Sequence, residues 1–197
     1  MLRHRHTPRV LPASLGRMAH LCKLTLEGVS VVELPPTLGD LEHLNELVLR
    51  NCPRLTTLPG EIVRLRALVS VDLTGSGLVL LPHALCYLPN LRFLNLSRCE
   101  ALGRLPAAFG HLLLLRYLNL MHSGVYALPD SLGDLNSLQY LNLQGCRRLA
   151  ALQRLLREER AVGDLRRISS GFSFLGDGDF ATHNIRVNPQ LEPLGCL

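Results

Sequence analysis

Arginine beside an aromatic ring, repeated at a near-constant interval, is the pattern in this chain with the most chemical content. Arg92-Phe93 and Arg116-Tyr117 lie 24 residues apart, and Gln139-Tyr140 follows 23 residues later. Arg98 and His122 repeat with the same 24-residue step. Aromatic rings bury large areas at little entropy cost, and guanidinium groups anchor carboxylates or ring faces. Exposed aromatics flanked by Arg are therefore the makings of a protein-binding hot spot. The same pairing would also arise from rings that simply pack on neighbouring strands. Arg92, Phe93, Arg98, Arg116, Tyr117, His122 and Tyr140 are accordingly the candidate protein-binding residues, expected on one shared face.

Other residue types that could do chemistry do not converge. The chain has eight His. His20 and His43 precede strand-like runs, His83 and His111 fall between them, and His183 lies near the end. None has a partner at metal-ligand or triad spacing. The sequence TGSG at Thr74 to Gly77 lacks the Lys-Ser/Thr ending of a phosphate-binding loop and reads as a turn. Asp177 and Asp179 in GDGD lack the bidentate acid that closes a calcium loop. Asn95-Leu96-Ser97 matches a glycosylation sequon but lies within a strand-like run. Cys52, Cys99 and Cys146 recur every 47 residues without paired C-x-x-C spacing. On stacked strands two turns apart they would lie roughly 10 Å apart, beyond the ~7 Å reach of a disulfide. They are expected to be buried thiols, with Cys86 on the outer surface partly accessible and Cys196 near the end reactive. Free thiols favour a reducing compartment, cytosol or nucleus. The expectation is a binding module rather than an enzyme, with no metal, no cofactor and no small-molecule substrate.

These residues need elements that repeat with them. Leu-Pro recurs at Leu11, Leu34, Leu58, Leu81, Leu105 and Leu128, in steps of 23, 24, 23, 24 and 23 residues. Ten residues after Leu105 and Leu128 begins an L-x-x-L-x-L run (Leu115, Leu118, Leu120; Leu138, Leu141, Leu143). Its alternation of apolar and polar residues predicts a half-buried strand. The same register recurs at Leu21, Leu44, Leu68 and Leu91. Long turns carry Cys52, Cys99 or Cys146 followed by Leu55, Leu102 or Leu149. Short turns carry Val29, Ser76 or Ser123 and reach Val31, Leu78 or Val125 one position sooner. The unit is thus a pair of 47 residues present three times. Between each Leu-Pro and its strand, a three-residue apolar spacing such as Leu132, Leu135, Leu138 predicts a helical or 3₁₀ turn. Gly16, Gly39, Gly110 and Gly133 recur there, where a tight backbone or positive φ would suit them.

A period of this length with this leucine spacing marks a leucine-rich repeat. The expected fold is an α/β leucine-rich-repeat solenoid, a curved horseshoe. It has a parallel β-sheet on its concave face and short helical or 3₁₀ turns on its convex face. Residues 1–10 read as a basic unstructured lead-in, and 11–151 as six repeats in three pairs. Residues 152–175 read as a degenerate seventh repeat, with an amphipathic helix over Arg154 to Arg167 and a strand motif at Leu165, Ile168 and Ser170. Residues 176–197 lack any period and are expected to be a mobile tail. Asp72, Asn95, Asn119 and Asn142 form one column, expected to be a hydrogen-bonded ladder. A chain of 197 residues that is 47% apolar but only 5% aromatic suits leucine packing between stacked turns. Apolar runs such as Leu112 to Leu115 fall far short of the ~18 residues that span a bilayer. The basic start lacks the apolar core of a secretory signal. The net charge of +5 is spread over all turns, which argues against nucleic-acid binding.

The run LRYLNLMHSGVYALPDSLGDLNSLQYLNLQGCRRLAAL resembles the leucine-rich-repeat region of plant intracellular nucleotide-binding disease-resistance proteins. The alternation of an S-G-V turn with a G-C-x-x-L turn before L-P carries that resemblance, over Leu11 to Ala151. It implies a cytosolic horseshoe in innate immunity that recognises protein partners: a pathogen effector, a guarded host protein or a neighbouring nucleotide-binding domain. This chain has no phosphate-binding loop of its own. A second resemblance, to Ras-group-related intracellular leucine-rich-repeat scaffolds, rests on the shared L-P-x-x-L-G-x-L. Plant extracellular receptor repeats fit less well, since their Ile-Pro-Gly turns and paired capping Cys are missing.

Overall fold

The computed structural model describes residues 10–149 and the backbone of residues 184–186. The degenerate seventh repeat, its amphipathic helix, the basic lead-in and Cys196 lie outside the described residues. Six short strands form at the six leucine runs: β1 (Lys23–Glu27), β2 (Glu46–Arg50), β3 (Ser70–Asp72), β4 (Phe93–Asn95), β5 (Tyr117–Asn119) and β6 (Tyr140–Asn142). They pair in parallel and in sequence order, so that equivalent residues of successive turns face one another, as in Phe93, Tyr117 and Tyr140. Part of the stretch expected to be a mobile tail joins this sheet. Asn184–Arg186 forms β7, antiparallel to β6, and supplies hydrogen-bonding partners that the edge of β6 would otherwise lack.

Each turn folds for the same local reasons. The proline of Leu-Pro stands just ahead of a five-residue 3₁₀ helix, and its ring fixes φ near the value the turn needs. In the second turn Pro35 has φ −66°, and the N–H of Leu38 donates to its carbonyl at 2.9 Å. The six 3₁₀ helices, Ala13–Arg17, Pro36–Asp40, Gly60–Arg64, His83–Tyr87, Ala107–His111 and Asp130–Asp134, stack on the side opposite the sheet. Between them the strand leucines and the turn leucines pack into one continuous core. Leu94, Leu96, Leu102, Leu115, Leu118, Leu120 and Phe109 are fully buried in it.

The alternation of long and short turns has a physical basis at the strand exits. Ser76 of a short turn shares a hydrogen bond with the thiol of Cys99 in the following long turn, at 3.3 Å, and Ser123 does the same with Cys146 at 3.5 Å. Each of these thiols also donates backwards, Cys99 to the Leu73 carbonyl at 3.2 Å and Cys146 to the Leu120 carbonyl at 3.0 Å. The glycine after each serine lies against the preceding long turn. A side chain at Gly77 would overlap the Pro53 carbonyl, and one at Gly124 the Glu100 carbonyl. Cys22, Cys52, Cys86, Cys99 and Cys146 are all free.

Two expectations need correction. Cys86 is fully buried rather than partly accessible. It stands in the row that Gly16, Gly39 and Gly110 occupy in other turns. That row points into the next turn, since side chains at Gly39 and Gly110 would meet the backbone of Glu61 and Ser131. Of the two reasons expected for the recurring glycines, the tight backbone holds at Gly16, Gly39 and Gly110 and positive φ does not, whereas among the described residues neither applies at Gly133. The left-handed residues form a different row at the strand exits: Gly28, Asn51, Gly75, Arg98, His122 and Gly145. The members of the Asp/Asn column, finally, do not bond one another from rung to rung; each is hydrogen-bonded within its own turn, and Asp72 also accepts from Arg50 of the preceding rung. Asp72, Asn95, Asn119 and Asn142 accept from the N–H two residues on, at 2.9–3.1 Å, and so close each strand end.

Candidate functional site: an aromatic column on the concave face

Strand register brings the sequence-selected aromatics together. Pairing of β4 with β5 and of β5 with β6 places Phe93, Tyr117 and Tyr140 on adjacent rungs. Their rings stack at centroid distances of 4.4 Å, inclined by 10° and 2°. Adjacent parallel strands lie ~4.8 Å apart, so this stacking follows from placing rings at the same offset in successive turns. The rings are half-buried by one another and remain on the open face, pointing away from the leucines.

Neighbouring amides fix the ring tips. Asn119 Nδ2 donates to the Tyr117 hydroxyl at 3.3 Å, and Asn142 Nδ2 to that of Tyr140 at 3.2 Å. The same Asn side chains hold the strand exits with their Oδ1 atoms, so each ties its ring to its turn. Burial raises the pKa of Tyr117, and the adjacent Tyr140 adds to the shift. The Tyr117 hydroxyl therefore keeps its proton at neutral pH.

Two rows of basic side chains flank the column. Arg92 is exposed and Arg116 half-buried where the strands begin; Arg98 and His122 are exposed where they end. Arg98 and His122 hold φ of 58° and 56°, in the row where three other turns have glycine. A side chain with a Cβ is strained there. The imidazole of His122 lies directly over Gly145 of the next turn, where any Cβ would overlap Nδ1. A cleft of about 340 Å³ opens beside it, lined by Glu100, His122, Ser123, Gly124, Gly145, Arg147 and Arg148.

Other groups near the site were not singled out by sequence. Tyr126 lies within 4.9 Å of the Arg104 guanidinium and 5.0 Å of that of Arg148, close enough for cation–π attraction to both. Its one readable signal is position: it occupies the place two residues before Leu-Pro where other turns carry Val32, Thr56, Val79 and Gly103. Away from the sheet face, His20 and His43 stack at 6.0 Å. Among the described residues no cluster of His, Cys, Asp and Glu could hold a metal, and no helix is long and apolar enough to cross a membrane.

The other half of the face is chemically different. Lys23 pairs with Glu46 at 2.9 Å, and Arg50 pairs with Asp72 at 2.7 Å. The hydrogen bond and charge of Asp72 raise the pKa of Arg50. On β1 to β3, opposite charges thus offset one another across rungs. On β4 to β6 the sheet-face positions contain Arg and His with Asn, Gln, Ser and Met, and no carboxylate.

Comparison with known proteins agrees with this architecture. The Leucine Rich Repeat family profile matches residues 90–112. A leucine-rich-repeat protein of Leptospira interrogans superposes with a TM-score of 0.53 at 26% identity, covering 75% of this chain and 44% of that one. The leucine-rich-repeat domain of the type III effector XopL gives a TM-score of 0.58 at 27% identity, covering 71% and 49%. The plant peptide hormone receptor RGFR1, solved in complex with RGF2, gives 0.57 at 27% identity, covering 66% and 22%. The chain spans less than half the length of each of these proteins. It carries a leucine-rich repeat, and its fold is a leucine-rich-repeat solenoid.

Proposed function

We propose that this chain is a non-catalytic protein-recognition module working through the concave face of β4 to β6. The observation that carries this reading is the stacked Phe93–Tyr117–Tyr140 column with cations on both sides. Such rings are already ordered by one another and by Asn119 and Asn142, so a partner covering them loses little further side-chain entropy. The complex of the similar receptor RGFR1 with RGF2 supports recognition by this fold. The alternating Ser-Gly and Cys turns support placing the module in plant intracellular disease resistance. Its partner would then be a pathogen effector, a guarded host protein or a neighbouring nucleotide-binding domain. The buried free thiols support a cytosolic setting.

The test is a pull-down from plant extract followed by affinity measurement on variants. Replacing Phe93, Tyr117 or Arg116 by Ala should weaken binding by ~1–3 kcal/mol while the fold stays intact. His83 and Arg64, on the opposite side, should tolerate Ala with little change. Binding lost through His83 and Arg64 but not through the column would place the functional face on the wrong side.

A further inference from the structure

We propose that the β4 to β6 face takes an acidic protein segment in extended conformation, laid over the stacked rings with its carboxylates against the Arg residues of the two flanking rows. This rests on the recognition reading and adds the chemistry of the partner.

Charge complementarity is the first support. The cations of β1 to β3 have acidic partners on the same face: Lys23 with Glu46 and Arg50 with Asp72. Among the described residues Arg92, Arg98 and Arg116 form no ion pair, and their rungs offer no carboxylate on that face. Among the described residues, the acids that come near are Asp72, already held by Arg50, and Glu100, which lines the cleft beyond the strand exits. A face left this way attracts anionic partners and discriminates against cationic ones.

The rings themselves favour the same partner. Phe93 and Tyr140 cover the two faces of Tyr117 at 4.4 Å each, so what Tyr117 turns outward is its edge and its hydroxyl. Aromatic edges carry the positive end of the ring quadrupole. The hydroxyl accepts from Asn119 and is also hydrogen-bonded to Tyr140, so the edge is what remains for a partner. That edge suits carboxylate and carbonyl oxygens. Nucleobases, in contrast, stack on open ring faces, and Tyr117 has none.

Spacing then sets the pattern of the partner. Arg92 and Arg98 are separated by six residues along one rung, as are Arg116 and His122. At ~3.3 Å per extended residue the two rows lie up to ~20 Å apart. A segment crossing the rings therefore needs acidic residues about six positions apart, with apolar residues between them.

The test uses fluorescein-labelled synthetic peptides of about twelve residues, with two Glu pairs about six positions apart around an apolar centre, and fluorescence anisotropy on the full chain. The Glu peptide should bind about tenfold more tightly than its Gln counterpart, and binding should weaken as salt rises. The double variant Arg92→Gln, Arg116→Gln should lose about tenfold, while Lys23→Gln on β1 should bind as the parent does. Matching thermal melts would show that the exposed-face variants still fold. Equal binding of Glu and Gln peptides, no binding of either, or tighter binding of a single-stranded oligonucleotide to this face would overturn the proposal. A pulled-down partner that depends on Phe93, Tyr117 and Arg116 but binds Arg92→Gln and Arg98→Gln as it binds the parent would also overturn it, leaving the recognition reading intact.

Discussion

At Cys99 the thiol donates to the Leu73 carbonyl and shares a hydrogen bond with Ser76, so a weakly polar group is fully buried yet satisfied. Burial raises the pKa of Cys52, Cys99 and Cys146, and pushes Cys86 up to about 11. Iodoacetamide should therefore modify exposed Cys22 rapidly in the folded protein and reach these four only in denaturant. Mass spectrometry after brief labelling checks this, and early modification of Cys86 would contradict its burial. A pH dependence follows with a definite sign. Unfolded thiols ionise near 8.5–9, whereas the folded chain keeps its Cys86 proton to about 11. Across that interval the unfolded state binds fewer protons, so stability present below about pH 9 falls as pH rises. The urea midpoint should be lower at about pH 10.5 than at about pH 8, and Cys86→Ala should reduce the difference. Little of this was legible beforehand. Cys86 was expected on the outer surface because it falls in the convex-side turn between Leu-Pro and its strand. Its burial depends on the next turn, which only the glycine row in the other repeats hinted at.

A turn of the solenoid is not an independent element; its shape is fitted to the turns on either side. Leu-Pro spacing and the strand motif were enough to read all six parallel strands and their 3₁₀ helices, because every turn repeats the same local signals. What spacing could not show was why turns alternate: the Ser–Cys hydrogen bonds and the glycine approaches connect residues of different turns. The site divides the same way. Phe93, Tyr117 and Tyr140 were found because one offset repeats, whereas Tyr126, Arg104 and Arg148 meet from unlike offsets. The fit between turns predicts contrasting outcomes for one substitution. Gly124→Ala would force a methyl group into the Glu100 carbonyl, and Gly110→Ala one into the Ser131 carbonyl. Both should destabilise by ~1–3 kcal/mol or more, as overpacking does. At Gly60, φ is ordinary and nothing lies within 4 Å of the added methyl. Gly60→Ala should be neutral or stabilise by ~0.4–1 kcal/mol by restricting the unfolded chain. Denaturation midpoints of the three variants check this; equal losses would mean that the turns are not in the close register described.

Over the whole molecule, stability should vary along the axis, because each turn is supported only by its neighbours. Turns around β3 to β5 have a leucine layer on both sides, and their strand leucines are fully buried. At the N-terminal end Leu11, Leu15, Leu21, Leu24 and Leu26 are only partly buried against the core. Removing a side chain from a closed layer leaves a cavity as well as losing transfer energy, whereas at a half-open layer water enters the space. Leu118→Ala should therefore cost ~2–5 kcal/mol, and the equivalent Leu24→Ala less than ~2 kcal/mol. Amide exchange should rank the rungs the same way. The N–H groups of β3 to β5 should exchange most slowly and those of β1 sooner, through openings that leave the central turns intact. This gradient bears on recognition, since the aromatic column begins on β4, within the best-supported part of the solenoid described here. A rigid platform there keeps the rings stacked whether or not a partner is bound. Leu24→Ala should then leave peptide affinity at the β4 to β6 face unchanged even as β1 exchanges faster. If loosening β1 weakened binding at the rings by more than about threefold, the solenoid would be opening as one unit, and its turns could not be treated as nearest-neighbour layers.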